Sequence, residues 1–274
     1  MSERITLHSS PIDGNRDTAS AAGPAAGTAV VATEFPAYVV RPNGTPRGAL
    51  IVIHEIWGLV AHITDIADRF AAEGYLVLAP DLLSSVGIDA HIGLELNEIM
   101  KSQDERVRTE GQPRLRAALA PLQAPEYGAW AIAALEASVD YLAEQPGIDG
   151  RIAVTGFCFG GGYSFALAAA DPRIRAAVSF YGSPPEITPV AKIAARVLAF
   201  YGATDARIMD SLPEVTAAFQ GAGIDFESKI YDGIGHAFFN DTNEFAYNAD
   251  AAADSWRRTL EFLDAALPGW MPGR

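Results

Sequence analysis

The 274-residue sequence contains one cysteine, Cys158, which excludes an internal disulfide and any cysteine-rich metal site, so nothing in it calls for an oxidising compartment. Basic residues are the scarcer charge. Twenty lysines and arginines stand against thirty-four acidic residues, and the net charge of -14 repels phosphate backbones and anionic membrane surfaces. Neither nucleic acid nor a membrane is an expected partner. No apolar run approaches the ~18 residues a transmembrane helix needs. The stretch MSERITLHSSPIDGNRDTASAAGPAAGTAVV lacks a leucine-rich segment behind basic residues, its apolar part being alanine broken by glycine and proline, and a cytoplasmic protein is expected. Internal repeats are absent as well.

What is present is an ordinary globular composition, 49% hydrophobic and 20% charged, sufficient for one large α/β domain. Residues 11–28, rich in Gly, Ala, Ser, Asp and Pro, read as a loop, with ITLHS before them a candidate edge strand. The expected division is an N-terminal extension over 1–28 and a single domain over 29–274. Within it YVVRP, GALIVIHE, YLVLAPDL, RIAVTGF, IRAAVSFYG, RVLAFYG and ESKIYDG read as strands. Helical stretches alternate with them: HITDIADRFAAEG, EYGAWAIAALEASVDYLAEQ, FGGGYSFALAAA, SLPEVTAAFQGAG and a last helix near 243–267. In the last, Ala249, Ala253, Trp256, Leu260, Leu263 and Leu267 recur at helical spacing as one apolar stripe. Strands without polar alternation, separated by helices, predict a mostly parallel sheet covered on both faces. Residues 83–125 break this rhythm with many charges and suggest an excursion over the carboxyl ends of the strands, the bland alternative being a solvated helical face.

Open parallel sheets bind ligands at the carboxyl ends of their strands. Three such ends carry reactive side chains: RIAVTGF delivers Cys158, RVLAFYGATD delivers Asp205 and ESKIYDGIGH delivers His236. A nucleophile on a sharp strand-to-helix turn tolerates no bulk two positions away on either side, and Gly156 and Gly160 occupy those positions. At a helix amino terminus, Cys158 is favoured as thiolate, and the Phe159 amide points toward a bound carbonyl oxygen. A dinucleotide loop is disfavoured because G-x-G-x-x-G is absent. His236 can accept the thiol proton, and Asp205 can orient its ring, with Asp210 a more distant alternative acid. The order nucleophile, acid, histidine is that of an α/β-hydrolase.

A second motif, HEIWG at 54–58, follows GALIVI, where this architecture places the other oxyanion donor; the Ile56 amide is the candidate. Glu55 beside it is read as a carboxylate that raises the thiol pKa or holds its proton, unless it forms a structural ion pair with an arginine. His54 and His62 do not meet the H-E-x-x-H spacing, and no metal is expected.

Together HEIWGL, HITDIADRFAAEGYLVLAPDLL, QDERVR, GFCFGG, YGATD and GHAFFN resemble the dienelactone hydrolase family, cysteine hydrolases of the α/β-hydrolase fold also called carboxymethylenebutenolidases. The resemblance spans about 35–265. It implies a Cys158–His236–Asp205 triad, Glu55 as the carboxylate that meets the resting thiol, and the Ile56 and Phe159 amides as oxyanion hole. It also implies cofactor-free opening of an unsaturated lactone in aromatic compound degradation, on a small-molecule substrate, by a monomer or homodimer. Family members hold a substrate carboxylate with two arginines. Arg108 matches the first, with Arg106 close by, but Asn240 stands where the second is expected. An asparagine cannot form the bidentate contact, a loss of roughly 1.5–3 kcal/mol. Trp57, Phe238, Phe239 and Trp130 are candidates for an apolar pocket, although such aromatics are more commonly core. The alternatives are a broad carboxylesterase or thioesterase on neutral esters, and a non-catalytic binding protein of the same fold.

Overall fold

The computed structural model of the chain describes residues 1–10, 33–184 and 188–269. The expected loop over 11–28 lies outside the described residues. ITLHS does form an edge strand, β1 (Ser2–His8), paired antiparallel with β2 (Glu34–Val40). Six further strands follow: β3 (Ala49–Ile53), β4 (Leu76–Pro80), β5 (Ile152–Phe157), β6 (Ile174–Phe180), β7 (Arg196–Gly202) and β8 (Phe226–Tyr231). They form one sheet in the order β1-β2-β4-β3-β5-β6-β7-β8, parallel from β4 to β8. The strand order reverses at β3, which lies between β4 and β5, so the carboxyl ends of β3 and β5 bound the crevice where such sheets take ligands.

Alternation along β3 explains the layers. Ala49, Ile51 and Ile53 face the core under α4 (Pro125–Ala143), α5 (Phe159–Ala170) and α6 (Ala206–Gly221), while Leu50 and Val52 face the core under α1 (Ala61–Ala72) and α7 (Ala249–Ala266). Trp130 is part of the first core, its ring edge-on to Phe35. In α7 the buried face differs from the expected stripe. Ala249 and Ala253 are exposed, whereas Ser255 and Thr259 are buried, their hydroxyls donating to the carbonyls of Ala252 and Ser255. A hydroxyl satisfied within its own helix can enter the core at little cost, which rotates the face by about one position.

The charged excursion folds into two helices, α2 (Ala90–Lys101) and α3 (Glu105–Leu119). Asp89 caps α2 through the amides of His91 and Ile92, and Asp104 caps α3 through that of Arg106. Helix α2 crosses the loop after β3 so closely that a Cβ on Gly93 would stand 1.8 Å from the Trp57 carbonyl oxygen. Only glycine permits that approach, and it sets α2 over the strand ends.

Candidate active site

Cys158 ends β5 and caps α5 with φ 55° and ψ -110°, a left-handed conformation that a side chain adopts only under constraint. The constraint is backbone packing. The Cys158 amide donates to the Phe180 carbonyl at 2.9 Å and that of Gly160 to the His54 carbonyl at 3.2 Å. A Cβ on Gly156 would lie 2.1 Å from the Gly160 oxygen, and one on Gly160 2.3 Å from that of Ile53. Among the described residues, three of the four non-glycine residues with positive φ are Cys158 and Tyr181, immediately after β5 and β6, and Ala237, next to His236 in the loop after β8, so backbone strain gathers around the cleft.

Asp205 and His236 meet because the β7–β8 pairing continues past the strands: Ala203 donates to the Tyr231 carbonyl and Thr204 to that of Ile234. Asp205 occupies the N-cap of α6 yet caps nothing with its side chain. Its carboxylate instead sits 2.5 Å from His236 Nδ1, which fixes the ring with Nε2 turned away from the acid. His236 lines the same cavity as Cys158.

Glu55 is almost completely buried. Its Oε2 accepts from Asn240 Nδ2 at 2.7 Å and its Oε1 from the Tyr181 hydroxyl at 3.1 Å; no cation forms an ion pair with it among the described residues. Burial raises its pKa from 4.5 to about 7, against the pull of those two hydrogen bonds. The Asn240 amide cannot turn toward a ligand without cost, because its Oδ1 accepts from both the amide and the hydroxyl of Thr242. Cys158 is partly exposed at the cleft, but its sulfur is closely packed. Burial first, and the neighbouring Glu55 charge second, push its thiol up to about 12, while a hydrogen bond from the Phe159 amide opposes them.

The Ile56 and Phe159 amides hydrogen-bond to no oxygen among the described residues, as an oxyanion hole requires. His54 braces both. Its Nε2 accepts from the Leu82 amide at 3.0 Å, leaving Nδ1 to donate to the Glu55 carbonyl at 2.6 Å, and its ring stacks on that of Phe159.

A cavity of about 410 Å³ brings together Glu55, Ile56, Trp57, Arg108, Cys158, His236 and Asn240. Arg108 is steadied from behind, Nη1 donating to the Ser102 carbonyl at 2.5 Å. Arg106 is not brought there: it is exposed on α3 and paired with Glu110. Phe238 and Phe239 are buried in the core beneath the site and line neither cavity that reaches Cys158. Sequence reasoning missed Tyr181, whose signal was its place immediately after β6, and Asn97, a polar residue that α2 buries at the cavity.

A mostly parallel eight-stranded sheet with a strained turn between β5 and α5 defines an α/β-hydrolase. The chain belongs to the dienelactone hydrolase family, whose model matches residues 35–267. A "Putative carboxymethylenebutenolidase" of Saccharolobus solfataricus is 34% identical over 242 residues, covering 83% of this chain and 92% of its own. One of Yersinia pestis is 30% identical, covering 84% and 83%. The crystal structure of a "Putative Dienelactone Hydrolase" from Klebsiella pneumoniae superposes with a TM-score of 0.68 at 29% identity, covering 95% of this chain and 98% of its own.

Proposed function

We propose that this chain, as a cytoplasmic monomer or homodimer, hydrolyses a lactone or activated ester through a Cys158 acyl-enzyme, without a cofactor. The observation that carries this reading is a cysteine on a strained turn beside the Ile56 and Phe159 amides, which donate to no oxygen among the described residues, with His236, held by Asp205, lining the same cavity as the sulfur.

In this reading His236 Nε2 takes the Cys158 proton as sulfur attacks the carbonyl carbon, and Ile56 and Phe159 stabilise the resulting oxyanion. The carbon–oxygen bond then breaks, and His236 returns the proton to the departing alkoxide or enolate. Water, deprotonated by the same ring, attacks the thioester and releases the acid, with the thiol restored. A thiol near 12 is a poor nucleophile at rest, held there first by burial and second by the Glu55 charge. Thiolate also expels alkoxides poorly, so enol lactones and aryl esters are better substrates than alkyl esters. Arg108 and Trp57 would grip the leaving portion, Arg108 through a carboxylate. Nothing supports the same role for Asn240, whose amide is committed to Glu55 and Thr242.

The test is the rate on a carboxylate-bearing dienelactone beside p-nitrophenyl acetate, for the native chain and Cys158→Ala. Faster turnover of the dienelactone, lost in the variant, is the expected result. Cleavage of only the neutral ester, again through Cys158, would favour the broad esterase. Turnover that survives the substitution would refute the cysteine mechanism.

A further inference from the structure

Cys158 borders a second cavity, of about 430 Å³, that shares only Ile56 and Cys158 with the first. A carbonyl seated on the Ile56 amide above the sulfur therefore extends one substituent into each. His236 lines the first cavity and not the second. The proposed mechanism, on which this inference rests, has His236 protonate the leaving group, so that group lies in the first cavity and the acyl chain runs into the second.

The second cavity holds Arg207, on the first turn of α6, with Ser183 and Ser211. Arg207 has no ion-pair or hydrogen-bond partner among the described residues: Asp205 is engaged by His236, and Asp210, one turn along α6, forms no ion pair with it. In a protein of net charge -14, an exposed arginine that lines a cleft opening on the nucleophile, with no counter-ion among the described residues, is placed to meet an anionic ligand. Ser183 has one partner, Ser211 Oγ at 3.4 Å, and can turn its proton to a ligand instead. Phe159 and Tyr163, both partly exposed, line the same cavity with aromatic surface suited to a short carbon chain.

We infer that the second cavity is an acyl-side carboxylate subsite, in which Arg207, aided by Ser183, selects esters or lactones of dicarboxylic acids. It is a separate cavity from the one that Arg108 lines. A substrate with acid groups on both portions would engage both arginines.

Two measurements on the full chain test this at low ionic strength. The first compares p-nitrophenyl hydrogen glutarate with its methyl ester, which share a leaving group and differ in the distal charge. Arg207→Gln is expected to lower the ratio of their kcat/KM values by about tenfold or more, Arg207→Lys to restore part of it, and Arg108→Gln to leave it near the native value. The second does not depend on hydrolysis: Cys158 is alkylated with 3-bromopropionate and 3-bromopropionamide. A shift in thiol pKa moves both rates together and cancels in their ratio. That ratio should fall severalfold in Arg207→Gln. Ratios unchanged within about twofold would overturn the subsite, leaving Arg207 at most an electrostatic aid to the thiolate. A ratio set by Arg108 alone would overturn it too. Should Cys158→Ala keep its hydrolytic rate, the catalytic reading fails and the alkylation ratio still decides the subsite.

Discussion

The elbow wall of the cleft is held by backbone against backbone, whereas the cover formed by α2 and α3 rests on a few buried side chains and carries exposed charge pairs on its surface. At the elbow, Cys158 and Gly160 hang from the carbonyls of Phe180 and His54, and glycine fills the positions where any side chain would collide. In α3 only Leu115 is buried, and the cover shows exposed pairs instead, Arg106 with Glu110 and Arg114 with Glu95. Exposed pairs contribute little and rearrange readily. The difference teaches where each task can be housed. A nucleophile must be positioned to within a fraction of an ångström, which close-packed backbone provides, while substrate selection can be left to a surface that changes without unfolding the sheet.

The rigid elbow is the more sensitive of the two to substitution. Gly160→Ala drives a Cβ into the Ile53 and His54 carbonyls, and neither can retreat without disturbing β3. A loss of at least ~3 kcal/mol, or no folded protein, is expected in thermal and urea unfolding. Next comes Asp205→Asn, which keeps the shape but favours the wrong His236 tautomer; kcat should fall about 10³-fold with the unfolding temperature nearly unchanged.

Glu55→Gln sharpens the comparison inside the cleft. The folded carboxyl titrates near 7 against 4.5 unfolded, so the folded state binds the proton more tightly. The stability this lends is fully present below about 4.5 and lost as pH rises through 7, up to ~3 kcal/mol in all. The Gln variant should therefore be more stable than the native chain at pH 8 and nearly equal to it at pH 4.5, as read by urea unfolding at each pH. Without the neighbouring charge its thiol pKa should also drop, so iodoacetamide should modify Cys158 several times faster at pH 8. The smallest effect belongs to the cover. Gly93→Ala would push α2 off the Trp57 carbonyl, lowering kcat/KM by about tenfold while thermal unfolding shifts only a few degrees.

How far the site could be read in advance follows the same division. The elbow and the acid were legible because each follows closely on a strongly apolar strand, the histidine because it lies in the loop after the last strand, and the glycines around Cys158 answer a steric demand that sequence displays directly. The excursion was legible as charge and as a cover for the strand ends, but not as two helices, since exposed helices carry weak periodicity and here rest on caps at Asp89 and Asp104. Helix α6 begins at Ala206, five residues before the expected stretch SLPEVTAAFQGAG, and carries Pro213 in its interior. The resemblance matched Arg108 and kept Arg106 beside it as a second candidate. Two residues apart on a helix they point to different sides, and only the packing of α3 on α2 decides which one reaches the cavity. Tyr181 and Arg207 were hidden for another reason: each acts through a neighbour that only the fold supplies, Glu55 for one and the second cavity for the other.

The central claim is that Cys158 carries the acyl group. Its most direct test is to mix the protein with p-nitrophenyl acetate, quench in acid during turnover and weigh the peptides. The account predicts one acetyl group on the peptide containing Cys158, appearing with the first burst of nitrophenolate and disappearing as substrate is exhausted. Steady hydrolysis with that peptide unmodified at every time point would contradict it.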